Sequence, residues 1–148
     1  MDRPRQNELH RATGDRRRLL GAAGEEAAAR FYIDQRFRVL ARNWRAGRFA
    51  EIDLIVQAPS GLIVFAEVKT RRRSEVEAGF NRCGFDAVHR RKQQKIVTSA
   101  QMFLARYGLS GCPCRFDVLV VNFEQQSRTS LLTAPGKALV THVPDAFT

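Results

Sequence analysis

Apolar and polar positions alternate along this chain with two different periods, and the changeovers divide it into elements. Over about residues 17–35, Leu20, Ala23, Ala27 and Phe31 recur at helical spacing, which predicts a helix. Gly21, Gly24 and the alanines around them leave little side-chain bulk, so this helix suits close approach to a sheet. Residues 38–44 read as a first strand and Ala46-Gly47-Arg48 as a turn. Residues 50–56 and 62–70 are rich in β-branched and aromatic side chains and flank the Pro/Gly cluster Gln57-Ala58-Pro59-Ser60-Gly61, which predicts a hairpin. Residues 71–86 are polar, with Gly79 and Gly84, and read as a long loop. A second helix is predicted over about 88–107, with Ile96, Val97, Ala100, Phe103, Leu104 and Tyr107 as its buried stripe and Gly108 as its C-terminal cap. Residues 115–121 are almost continuously apolar, as in a central strand. A last short strand is placed around 138–142. The order α-β-β-β-α-β predicts a single α/β domain with a mixed sheet over 17–148, after a polar, basic, mobile N-terminal arm over 1–16.

Ionisable residues interrupt the hairpin's apolar pattern. Residues two apart on a strand share a face, so Glu51 pairs with Asp53 and Glu67 with Lys69. Burying carboxylates without partners is costly, and a metal ion is the usual reason to accept that cost. Asp53, Glu67 and Lys69 make the pattern D-x(13)-E-V-K. Carboxylates on adjacent strands can converge on a hard cation, Mg²⁺ or Mn²⁺, which activates water and offsets charge on a phosphate. Lys69 lies about 7 Å along the strand from Glu67, and its stem can bring the ammonium to a water or phosphate oxygen. That set suits phosphodiester hydrolysis. The competing reading of an E-x-K triplet is a solvated ion pair on an exposed strand face.

The charge balance narrows the partner. There are 25 Lys+Arg against 15 Asp+Glu, a net charge of +10, which favours nucleic acid first and an anionic membrane surface second; the bland alternative is a soluble basic protein. No apolar run reaches the roughly 20 residues of a membrane span, and the Arg-rich N-terminus lacks the apolar core of a secretory signal. Cys83, Cys112 and Cys114 are read as reduced thiols of a cytoplasmic protein, since Cys-Pro-Cys is not a zinc spacing and no His or further Cys lies near it. Arg71, Arg72 and Arg73 follow the lysine and could hold a nucleic-acid backbone; a solvated loop is the alternative. Arg90, Arg91, Lys92 and Lys95 cluster in the first turns of the second helix, against the helix dipole, which suggests an anion site or simple surface charge.

Taken together, Glu51-Ile-Asp53-Leu-Ile and Val64-Phe-Ala-Glu67-Val-Lys69-Thr-Arg71 resemble the bacterial YraN family, also called UPF0102. Gly21-Ala-Ala-Gly24-Glu25-Glu, Ala41-Arg-Asn43-Trp44, Ala87-Val-His-Arg-Arg-Lys92, Arg115-Phe-Asp117-Val and Asp145-Ala-Phe147 agree with its pattern, so the resemblance runs from about Arg17 to Phe147. It implies a restriction-endonuclease-like fold similar to that of archaeal Holliday junction resolvases. It further implies that Asp53 and Glu67 are the metal-binding carboxylates of a PD-(D/E)xK motif, Lys69 its catalytic lysine and Glu25 a helical acid near the metal. The motif's Pro is absent; Glu51-Ile52 precedes Asp53.

The function expected is a Mg²⁺-dependent DNA endonuclease, structure-selective or nonspecific, with branched DNA as a candidate substrate and, by analogy with resolvases, a C2 homodimer. Two other readings stand beside it: a catalytically weak nucleic-acid-binding protein on the same fold, and an interaction protein without nucleic-acid contact. Glu51 is read equally as an acid behind Asp53 or as the partner of a surface Arg, and Asp117 as a structural ion pair with Arg115. Trp44 is expected to pack on the sheet. His10, His89 and His142 have no metal-ligand spacing and receive no role.

Overall fold

The computed structural model describes residues 4–72, 90–124 and 136–148, with backbone alone for 4–10, 12 and 72. Within them the chain forms one α/β domain: α1 (Pro4–Asp34), β1 (Arg38–Trp44), β2 (Ile52–Gln57), β3 (Ile63–Arg72), α2 (Arg90–Arg106), β4 (Cys114–Phe123) and β5 (Ala138–Phe147). The sheet order is β1-β2-β3-β4-β5. Strands β1, β2 and β3 pair antiparallel, β3 and β4 parallel, and β4 and β5 antiparallel. A parallel pair needs a crossover, and α2 lies in it.

Strand alternation divides the core between the two faces of the sheet. On one face Ala28, Ala29 and Tyr32 of α1 pack on Leu54, Val56, Val64, Ala66, Leu119 and Val121. On the other, Ile96, Ala100 and Phe103 of α2 pack on Ile55, Ile63, Phe65, Phe116, Val118 and Val120. Trp44 packs on this second face, its ring 5.3 Å from that of Phe103 at 88°. Tyr107, expected in the stripe of α2, is instead exposed, because the helix has already ended at Arg106. Gly108 stops it with φ +67, the Leu109 N–H donating to Leu104 O and the Gly108 N–H to Ala105 O, a Schellman cap.

Two boundaries differ most from the sequence pattern. Helix α1 reaches back to Pro4, so residues 4–16, expected to precede the first helix, are helical. Described side chains from Arg11 to Leu19 are exposed, so no apolar period marks this stretch; helix-favouring Arg, Glu, Leu and Ala extend the turns anchored further on. Its fully buried positions are Ala28, Ala29 and Tyr32, while Leu20, Ala23, Ala27 and Phe31 pack at the margin. At the other end of the chain β5 continues to Phe147. No helix among the described residues is long and apolar enough to cross a membrane.

Helix α1 meets β3 at a glycine. A Cβ on Gly24 would lie 1.9 Å from Thr70 Oγ1 and 2.9 Å from Thr70 Cβ. Gly24→Ala is therefore expected to destabilise the fold by about 1–3 kcal/mol, the range for overpacking, and Thr70→Ala to recover part of that loss. Urea unfolding of the two single variants and the double variant checks it; additive effects would mean that the two positions do not press on each other.

Candidate active site

The site sits where β2 leaves β3. The register between them runs from Gln57–Ile63 to Leu54–Ala66 and stops. At the next position the Asp53 side chain replaces the strand: its Oδ2 accepts the Val68 N–H at 2.8 Å. Asp53 is two residues from Ile55 and Glu67 two from Phe65. Ile55 and Phe65 are register partners buried in the α2-side core, so both acids point to that face. Lys69 follows on the same face, its Nζ donating to Glu67 Oε1 at 2.9 Å. A fourth group arrives from α2: Lys92 Nζ also donates to Glu67 Oε1.

Electrostatics couples these groups. Glu67 is only 5% exposed. Burial works to raise its pKa, and the hydrogen bonds and charges of Lys92 and Lys69 reverse that and hold it below the usual carboxylate range. Asp53 goes the other way, to about 7, through burial first and then the charges of Glu67 and Glu25, against the Val68 N–H. Lys92 is held above its ordinary value: burial opposes its charge, but the Glu67 carboxylate outweighs that. Glu25, half-buried on α1 next to Gly24, acts on Asp53 through its charge. Among the described residues no three His, Cys, Asp or Glu side chains gather as a metal-ligand set, so Glu25 does not complete one with Asp53 and Glu67.

The other residues singled out in the sequence scatter. Glu51 does not join Asp53; it bonds Arg45, Nη2 to Oε2 at 2.8 Å, as an exposed pair. Arg90, Arg91 and Lys95 are exposed on the first turns of α2. Arg71 is half-buried on β3; its Nε, like Oδ1 of its register partner Asn122, is buried with no hydrogen-bond partner among the described residues. Arg73, Cys83 and His89, and the side chains of Arg72 and His10, lie outside the described residues. Cys112 and Cys114 are free thiols. A cleft of about 440 Å³ lined by Arg90, Gln94, Thr98 and Thr148, among others, runs along another flank of α2 and includes none of the acid–lysine residues.

Lys92 is the member whose placement the basic run concealed. The signal was its phase: it precedes Ile96 by four residues and Ser99 and Ala100 by seven and eight, all buried positions of α2, so it continues their stripe. His142 has no metal-ligand spacing in the sequence to mark its role. It bonds the buried Asp117 on the α1 side of the sheet, away from this cluster.

Fold and site together define an α/β domain with a carboxylate pair and two lysines where two strands part. Residues 24–121 match the family described as "Uncharacterised protein family UPF0102", and the chain belongs to that family. A UPF0102 protein of Symbiobacterium thermophilum is 45% identical over 104 residues, 70% of this chain and 82% of that one. UPF0102 proteins of Trichlorobacter lovleyi and Myxococcus xanthus are each 34% identical, the first over 90% of this chain and 94% of its own, the second over 94% and 97%.

Proposed function

We propose that the protein is a divalent-cation-dependent nuclease that hydrolyses phosphodiester bonds in DNA, on the restriction-endonuclease-like fold implied by its sequence. The observation that carries this reading is the meeting of Asp53 and Glu67 with the Lys69 ammonium on one sheet face, where β2 parts from β3. Mg²⁺ and Mn²⁺ take hard oxygen ligands, often one or two carboxylates completed by water and phosphate. The donor set fits: Asp53 and Glu67 would hold the ion, and burial together with the Glu67 charge raises Asp53 to about 7, a cost that a divalent cation between the two carboxylates relieves. Once bound, the cation lowers the pKa of its water and offsets charge on the phosphate.

The chain's own groups orient the reactants. The Val68 N–H fixes the Asp53 carboxylate, and Glu67 holds the Lys69 ammonium at 2.9 Å, aimed along the same face. From there Lys69 donates to a phosphate oxygen or to the attacking water. Glu25 adds negative charge behind Asp53 and strengthens the attraction for a cation. Arg71, two residues beyond Lys69 on β3, extends this face by strand alternation and adds positive charge beside the scissile phosphate. These contacts favour backbone over base recognition, hence structure-selective or nonspecific cleavage, with branched DNA a candidate.

The test is cleavage of junction, flap, single-stranded and duplex DNA with and without Mg²⁺ or Mn²⁺. Cleavage only with metal is expected, and Lys69→Ala should slow it by about 10²–10⁴-fold, the range for a lost proton-transfer group, without loss of Mn²⁺ binding. No cleavage of any DNA form by the wild type would overturn the reading. One observation favours a second: Glu67 is already neutralised by two ammonium groups, as suits a catalytically weak nucleic-acid-binding protein. Under either reading DNA affinity should fall steeply with salt, and Ala at Arg90, Arg91 and Lys95 should lower the log–log slope by about 1 per lost phosphate contact. Affinity independent of salt would sink both.

A further inference from the structure

We propose that Lys92 is the resident counter-ion of this site, and that a divalent cation binds Asp53 and Glu67 by displacing the Lys92 ammonium from Glu67. The proposal rests on the cation of the nuclease reading and goes beyond it, giving a residue of α2 control over cation entry.

One carboxylate oxygen, Glu67 Oε1, accepts from two ammonium groups, Lys69 and Lys92. A divalent ion on that carboxylate would stand a few ångströms from both, and charge repulsion in a half-buried site forces one to withdraw. The two lysines are not equivalent in that respect. Lys69 lies on the same strand as Glu67, two residues on, and its side chain is 25% exposed. Lys92 reaches in from a different element and is 41% exposed, so its ammonium regains water on leaving more readily.

The helix does not depend on this contact. Ile96, Ser99 and Ala100 are buried against the sheet side, and the Ser99 hydroxyl donates to Ala50 O at 2.8 Å, just before Asp53. Lys92 can thus release Glu67 by swinging its four-carbon stem while α2 stays in place. It stays charged throughout, so the step is a cation exchange and no proton moves. Lys92 is then a positioning residue: it holds Glu67 ionised and in place before the cation arrives, and its released ammonium stays beside the phosphate position.

The test is a Mn²⁺ titration of the full chain, with free Mn²⁺ read by electron paramagnetic resonance. Wild type, Lys92→Met, Lys92→Gln and Asp53→Asn are compared, with circular dichroism confirming that each is folded. Lys92→Met keeps the stem and removes the charge; Lys92→Gln also keeps a donor. Both should bind Mn²⁺ roughly tenfold more tightly than the wild type, screening at a partly exposed lysine limiting the gain. A merely structural Lys92 predicts the opposite, since its loss would loosen Glu67 and weaken binding. Unchanged or weaker binding by both variants overturns the exchange. If Asp53→Asn still abolishes binding in that case, the nuclease reading stands. If no protein in the set shows Mn²⁺ binding that depends on Asp53, the exchange and the cation site fall together.

Discussion

Asp53→Asn is expected to abolish cation binding and cleavage while making the metal-free fold more stable at pH 8. The first effect follows from ligand chemistry. An amide is a much poorer ligand for a hard cation than a carboxylate, and losing several kcal/mol of charge stabilisation slows cleavage by about 10³-fold or more. The second follows from linkage. The folded-state pKa of Asp53 is about 7, raised by burial and by Glu67, against roughly 3.9 in an unfolded chain. A group raised in the folded state contributes stability that is fully present below its unfolded pKa and is lost as the pH climbs through the folded one. The metal-free wild type should therefore lose stability between about pH 4 and pH 7 through this residue. Asn carries no charge, its Oδ1 can accept the Val68 N–H, and its Nδ2 can donate to Glu67. The variant should thus gain about 1–2 kcal/mol over the wild type at pH 8 and little at pH 4, the proton shared with Glu67 limiting the effect. Added Mg²⁺ should stabilise the wild type in proportion to its binding and leave the variant unmoved. Urea unfolding at pH 4 and pH 8, with and without Mg²⁺, checks all three. An Asn variant less stable than the wild type at pH 8 would mean that Asp53 is held as a stable carboxylate and that the strain read at this site is absent.

The acid pair and Lys69 were legible because strand alternation is a local rule. Once residues 50–56 and 62–70 are read as strands, the faces of Asp53, Glu67 and Lys69 follow from parity. Residues 38–44 were legible for the same reason and match β1. Helices were harder in proportion to their contacts. Exposed residues before Leu20 carry no burial pattern, so only intrinsic propensity extends α1 to Pro4, and propensity alone is weak. Lys92 looked like its neighbours because Arg90-Arg91-Lys92 is uniform in charge; three-dimensional phase separates it from them. The pairing of Asp117 with His142 had no local signal, since it joins two strands across 25 positions of chain. An aspartate inside an apolar strand did announce a partner, and Arg115 was the near one. Tyr32 and the Asp145 amide are visible only when α1 and the end of β5 close over the sheet.

That closure makes Asp117 the residue whose loss should cost most stability. Asp117 is 0% exposed. It accepts from Tyr32 Oη at 2.8 Å, from Arg115 Nε and Nη2 at 2.9 and 3.1 Å, from His142 Nε2 at 2.8 Å and from the Asp145 N–H at 3.1 Å. Burial works against its charge, and these bonds, Arg115 first, more than reverse that and hold its pKa below the usual range. The β4–β5 register shifts between Phe116 and Val118, right at Asp117, and Asp145 stands at φ 52, a conformation its bond to Asp117 helps to hold. Asp117→Ala would leave the Arg115 charge and three further polar groups without their partner. Breaking a buried pair in this way costs about 3–5 kcal/mol, a large part of the roughly 5–15 kcal/mol that holds a domain folded. Asp117→Asn keeps the shape and one accepting oxygen and should cost less. Because the pKa is depressed, the stabilisation is present above an unfolded-state value near 4 and disappears as the pH falls through the lower folded one. Urea unfolding of both variants between pH 3 and pH 7 measures it, and hydrogen exchange should show β5 losing protection first. The acid–lysine cluster lies on the opposite face, so the folded fraction of Asp117→Asn should bind Mn²⁺ as the wild type does. A change below about 1 kcal/mol in Asp117→Ala, the size of a single ordinary hydrogen bond, would show that these contacts do not hold α1 and β5 to the sheet.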